Sequence, residues 1–133
     1  MPTYLIDTNH ASAFMSNAQP LTRRIVQLAK NGERFYLCMP VVAELYFAVY
    51  ASKRRNQNLE NLKRMLENIA ILDFDIAAAE EYGFIKAELK ATGRPIPGTD
   101  AQIAAIARLN GLVVLSADRH FSYVDSLQVE NWL

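Results

Sequence analysis

Asn110-Gly111-Leu112-Val113-Val114-Leu115-Ser116-Ala117-Asp118 is the stretch on which the fold turns. Asn-Gly stops a helix, and the four apolar residues after it are too few for a useful helix. They are apolar throughout, as strands buried on both faces of a parallel sheet are. An acid, Asp118, follows closely. Working outward, Thr99-Asp100-Ala101-Gln102 has the form of a capping box, and Ile103, Ile106 and Ala107 carry a helix from it to Asn110. On the other side, Leu127-Gln128-Val129 reads as a last edge strand, with Trp132 packing near the C-terminus.

The same succession recurs upstream. Tyr4-Leu5-Ile6 is a short apolar run ending at Asp7, and Asp7-Thr8-Asn9 supplies three residue types that favour helix starts. Leu21, Ile25, Val26, Leu28 and Ala29 recur at helical spacing until Asn31-Gly32. A second strand is expected over Phe35 to Met39, with Pro40 opening a helix that runs to about Lys53. Leu59, Leu62, Leu66 and Ile69 mark the helix that forms a hairpin with it, and Ile71-Leu72-Asp73-Phe74 is a brief strand. Asp75 caps a long helix over Ile76 to Ala91, and Gly93 to Gly98 must be a loop. Strands alternating with helices predict an α/β/α sandwich around a mostly parallel sheet of four to five strands.

At 133 residues and 51% apolar, the chain fits one domain spanning 1–133. The N-terminus has no basic segment before an apolar stretch, and no run approaches the length of a membrane span, so a cytoplasmic protein with no membrane partner is expected. Cys38 is the one cysteine and reads as a small buried hydrophobe, which excludes an intramolecular disulfide. Fourteen basic and fourteen acidic side chains cancel, so no global field attracts nucleic acid. Local patches remain: Lys53-Arg54-Arg55 with Lys63 and Arg64, Arg23-Arg24 with Lys30, and Lys86, Lys90 and Arg94, each of which also fits an ordinary solvated helix face.

The chemistry rests on four acids. Asp7 and Asp118 follow strands, whereas Glu44 and Asp100 lie in the first turns of helices whose starts can face the same edge. Each acid alone has an ordinary explanation as a helix cap, a first-turn acid or a turn residue. None of those explanations accounts for all four standing at the same end of the predicted elements. Two carboxylates about 4 Å apart repel by roughly 4 kcal/mol at an effective dielectric near 20. A cluster of four therefore calls for a hard divalent cation or a shared proton, and magnesium, with manganese as a substitute, fits an all-oxygen ligand set. Thr8, Asn9 and Ser116 are placed to hold carboxylate rotamers or waters. His10 and His120 lack zinc-ligand spacing, so no zinc site is expected, and His120-Phe121 reads as a packing or substrate contact.

At these residues the chain resembles the PIN-domain ribonucleases, most closely the VapC toxins of bacterial toxin–antitoxin pairs. The matching segments are Leu5-Ile6-Asp7-Thr8-Asn9, Val41-Val42-Ala43-Glu44-Leu45, Gly98 to Ala107, and Leu115-Ser116-Ala117-Asp118-Arg119-His120-Phe121, ending in Val129-Glu130-Asn131-Trp132. The resemblance maps the family's acids onto Asp7, Glu44, Asp100 and Asp118, as catalytic and metal-holding residues. It implies a metal-dependent endoribonuclease leaving 5′-phosphate and 3′-hydroxyl ends, a homodimer, and an antitoxin partner. Many relatives carry further acidic or amide residues around the fourth motif, where this chain has Arg119 and His120, which leaves the number of metal ions open.

Two other readings compete. One is a catalytically silent PIN scaffold binding RNA or a protein, against which all four acids are present. The other is a phosphoacceptor receiver domain, against which Asp7 is unpaired and no lysine follows a late strand. For the antitoxin, the sequence offers an arginine placed against Asp7, Glu44 or Asp118, and an apolar groove on the 41 to 69 hairpin. Leu45, Val49, Leu59 and Leu62 would line that groove, unless they pack inward.

Overall fold

The computed structural model describes residues 2–133. Five parallel strands among them form one sheet in the order β3-β2-β1-β4-β5: β1 Thr3–Ile6, β2 Arg34–Cys38, β3 Ala70–Leu72, β4 Val113–Leu115 and β5 Val129–Glu130. The helices are α1 Thr8–Met15, α2 Leu21–Lys30, α3 Met39–Tyr50, α4 Arg55–Glu67, α5 Ile76–Ala91 and α6 Gly98–Asn110, with a short 3-10 helix over Arg119–Tyr123. The chain winds from β1 outward through β2 to β3, then returns to β4 on the other side of β1. Between β1 and β4 the winding therefore reverses, and it is outside the carboxyl ends of strands at such a switch point that open α/β sheets bind ligands.

The apolar runs behave as two-sided burial demands. Leu5, Ile6, Leu37, Val114 and Leu115 have no exposed surface. β1 pairs Ile6 with Leu115 of β4, and the Asp7 N–H donates to the Leu115 carbonyl at 3.0 Å, so Asp7 leaves the sheet beside the end of β4. α6 buries Ala101, Ile103, Ala104, Ala105, Ile106 and Ala107 on almost every side, which its small side chains permit. Gly111, at φ 65°, turns the chain from α6 toward β4.

Several sequence expectations shift. Met39 is the first residue of α3 rather than the last of β2, because Pro40 fits the first helical turn and Cys38 still holds extended backbone (φ −131°, ψ 160°). β3 begins at Ala70 and ends at Leu72, and β5 is Val129–Glu130, since each is set by pairing with its neighbour and not by its own run of apolar residues. Thr99 does not cap α6. Pro97 is already extended (φ −56°, ψ 149°), so the helix starts at Gly98 and Thr99 lies inside the first turn. Leu45, Val49 and Leu62 are almost fully buried, because α3 packs against α1, α4 and α6, so the groove expected on this hairpin is filled by the protein itself. No helix among the described residues is long and apolar enough to cross a membrane.

Candidate active site

The four acids meet at the switch point. One connected path of hydrogen bonds runs through them, and each link depends on a strand end or helix start. Asp7 caps α1, its Oδ1 accepting the Thr8 N–H at 2.7 Å. The Thr8 hydroxyl donates to Glu44 Oε1 at 2.5 Å, which ties α1 to the second turn of α3. On the other side, the Ser116 hydroxyl donates to Asp7 Oδ2 at 2.6 Å and accepts the Asp118 N–H at 2.9 Å. Asp118 caps the 3-10 helix by accepting the His120 N–H at 2.9 Å, which folds the His120 ring back onto the acids. His120 Nδ1 then lies 2.9 Å from Asp118 Oδ1 and 3.1 Å from Asp100 Oδ2.

Sequence order is thus converted into a surface. Asp7 is 6% exposed, whereas the side chains of Asp118 and His120 are about one third exposed, at 32% and 31%. Asp7 forms the floor and the other two the rim.

Charge confirms the crowding. Burial pushes the Asp100 carboxyl up, to about 6, and the neighbouring Asp118 and Asp7 charges push the same way while His120 pulls it back. Burial also raises Asp7, opposed by the donors on Ser116 and Thr8 and reinforced by the Glu44 and Asp118 charges. Cys38, at the start of α3, is held up at about 12, chiefly by burial, with the charges of Asp7 and Glu44 adding to it. Each shift says that negative charge here is disfavoured without a counter-charge.

Of the residues singled out from sequence, Thr8 and Ser116 both hold carboxylates, whereas Asn9 is exposed and makes no side-chain hydrogen bond among the described residues. His120 is the residue that sequence reasoning undervalued. Phe121 packs, with no exposed surface, but His120 joins Asp100 and Asp118 in a group whose donor atoms lie within 4.8 Å of one another. Its signal was the Asp-x-His spacing after a strand, which turns a histidine back onto its own cap. His10 stays apart, fully buried, accepting the Trp132 N–H on Nε2 at 2.9 Å.

Residues 4–127 match the PIN domain family. Across the whole of both chains the protein is 33% identical to Ribonuclease VapC2 of Haemophilus influenzae. It is 31% identical to the tRNA(fMet)-specific endonuclease VapC of Shigella flexneri, over 99% of each chain. The fold matches the crystal structure of DNA-bound VapBC from Salmonella typhimurium with a TM-score of 0.90 and 28% identity over 100% of both chains. The chain belongs to the PIN-domain family, and its full-length relatives place it among that family's VapC ribonucleases.

Proposed function

We propose that the protein is a magnesium- or manganese-dependent endoribonuclease, the toxin of a toxin–antitoxin pair, working through Asp7, Glu44, Asp100 and Asp118. The observation that carries this reading is the single hydrogen-bonded path that gathers acids 111 positions apart, from Asp7 to Asp118, at one sheet edge where two of them are held above the usual carboxylate range. The donor set fits the cation. Asp100, Asp118 and His120 offer two carboxylate oxygens and a ring nitrogen within 4.8 Å, and Asp7 adds its charge from beneath. Mixed oxygen and imidazole donors suit manganese at least as well as magnesium.

A hard divalent cation, when bound, supplies Lewis acidity that polarises a phosphodiester and makes water nucleophilic near neutral pH. The chain's own residues do the rest. Ser116 and Thr8 fix the Asp7 oxygens, so the floor of the site needs little reorganisation when substrate arrives. Glu44 is oriented by the Thr8 hydroxyl and stands ready to accept a proton on its carboxylate from an attacking water. The Asp100 carboxylate and His120 Nδ1, 3.1 Å apart, would both hold the cation as ligands.

Substrate and partner follow from the relatives. The S. flexneri relative is described as tRNA(fMet)-specific, which makes tRNA the first RNA to test here. The Salmonella structure is of VapBC, which supports a cognate antitoxin. The apolar cleft for an antitoxin helix lies between α1, α2 and the α4 arm of the hairpin, away from Leu45, Val49, Leu59 and Leu62. It measures about 590 Å³ and is lined by Phe14, Met15, Ile25, Val26, Met65 and Ile69, with Lys30 and Arg64 at its edge, so it suits an apolar helix with acidic flanks. Exposed Phe47 on α3 and Ile76 and Phe84 on α5 supply apolar surface for a second copy in a homodimer.

The test is cleavage of purified tRNA and of mixed RNA with magnesium, manganese or chelator, alone and with the co-expressed antitoxin. Metal-dependent cleavage that the antitoxin silences is expected. Cleavage that persists in chelator, or none with either metal, overturns the reading.

A further inference from the structure

Arg94 sits over the ring of Tyr123, its guanidinium carbon 5.2 Å from the ring centroid. Tyr123 in turn meets the His120 ring edge-on, with centroids 6.1 Å apart and planes at 68°. His120 touches Asp100 and Asp118, so the guanidinium stands two side chains from the acids although it comes from a loop between α5 and α6. Among the four cation–π pairs of the described residues, this one alone borders the site. Arg24 over Trp132 also meets Glu130 at 4.0 Å, Arg108 near Phe84 is paired with Glu81, and Arg55 near Tyr50 opens α4.

The loop is braced for the purpose. The Arg94 N–H donates to the Leu89 carbonyl at 2.8 Å, Lys86 Nζ donates to the Ile96 carbonyl at 3.0 Å, and Ile96 is buried in the core. The loop then enters α6, which carries Asp100. Arg94 itself is exposed and forms no ion pair among the described residues. An exposed guanidinium beside a partly buried aromatic ring can take a further planar group against it. Single-stranded RNA is recognised by stacking its splayed bases on aromatic rings and guanidinium planes. We propose that the Arg94–Tyr123 pair is a stacking platform that holds one base of single-stranded RNA beside the acidic site.

This inference rests on the reading of the site as a ribonuclease, and its test separates the two. A fluorescent single-stranded oligoribonucleotide is titrated, by anisotropy, into Asp100→Asn and into the same protein carrying Arg94→Ala, Arg94→Lys or Tyr123→Leu. Oligonucleotides with one abasic position at a time are titrated alongside. Arg94→Ala is expected to raise Kd about tenfold, within the range for losing one stacked base. One abasic position is expected to raise Kd by a similar factor in the parent and to have no further effect in Arg94→Ala. Arg94→Lys, which keeps charge without the plane, is expected to stay weak. Tyr123→Leu is expected to match Arg94→Ala if it melts as the parent does, and the exposed Arg94 variants decide the question if it does not. An unchanged Kd in Arg94→Ala, a full abasic penalty retained there, or full rescue by lysine overturns the platform. Absence of any RNA cleavage by the wild type overturns the nuclease reading instead, and leaves the binding titration to judge the platform.

Discussion

The two sides of the acidic site are built on different principles. The Asp7 side is buried and satisfied: both carboxylate oxygens accept hydrogen bonds, from Thr8 and Ser116, and the donors come from a helix start and a strand end fixed by the sheet. The Asp100 side is charge-strained: its carboxyl is pushed up to about 6 by burial and by Asp118 and Asp7, and what relieves it is a histidine on a short 3-10 helix. Two fixed donors hold the first side, although burial and the Glu44 and Asp118 charges still raise its carboxyl. The second carries the larger shift and has the most to gain from a counter-charge, so a cation or a proton is expected to act on it most.

The sharpest way to break this contrast is to neutralise one acid on each side. Asp7→Asn and Asp100→Asn are both expected to lower RNA cleavage about 10²- to 10³-fold, as deleting one charge-stabilising group from an active site does. Their stabilities should part. Without metal, Asp100→Asn removes a carboxylate that its surroundings disfavour and should melt higher than wild type at pH 7. Asp7→Asn replaces an oxygen that accepts a hydrogen bond with an amide that cannot, and should gain nothing. Paired cleavage assays and thermal melts check this, and equal gains in both variants would erase the distinction between the sides.

Ser116→Ala probes the joint between them. It leaves Asp7 Oδ2 without its donor and the Asp118 N–H without its acceptor, so both sides loosen at once. A loss of about 10- to 100-fold in manganese affinity or activity is expected, the usual size for a partner that orients a ligand. Stability should fall by about 1–3 kcal/mol for the buried groups left unpaired. Manganese titration of activity together with a denaturant melt reads both, and a variant that loses stability but keeps its manganese affinity would make Ser116 structural only.

How much of this was legible in the chain follows from the same contrast. Tyr4 to Ile6 and Leu112 to Leu115 announce themselves because a strand buried on both faces must be apolar at every position, and the acids after them mark the carboxyl edge. The register of β5 is decided by its pairing partner, which local pattern does not contain, whereas the end of β2 and the start of α6 turn on the backbone at Cys38–Pro40 and at Pro97, which the residue types alone leave open by a position or two. The contacts of His120 with Asp100 and Asp118 were not legible because its place depends on the turn after Asp118, a three-dimensional fact expressed by two adjacent hydrogen bonds. The hairpin residues Leu45, Val49 and Leu62 looked available because two helices cannot bury them, but α1 and α6 complete the burial from distant segments.

The smallest expected effect is in pH, and its sign tests the charge-strained side directly. Asp100 has a folded pKa of about 6 against 3.8 for the ordinary group, so between those values the folded state binds more protons than the unfolded state. Stability then falls as pH rises, since its slope follows the protons bound by the unfolded state minus those bound by the folded. The contribution is fully present below about 3.8 and is lost as pH passes about 6; Asp7, also raised, adds in the same direction. Metal-free wild type should therefore lose a few degrees of Tm between pH 4 and pH 6.5 from these groups, and Asp100→Asn should lose less. Magnesium or manganese is expected to reverse the slope, because a cation bound there would favour the ionised form and add about 2.7 kcal/mol at one hundred times its Kd. Differential scanning at four pH values, in chelator and in metal, separates the cases. A wild-type slope that Asp100→Asn leaves untouched would place the titrating group elsewhere, and a slope that metal fails to change would remove the cation from this side of the site.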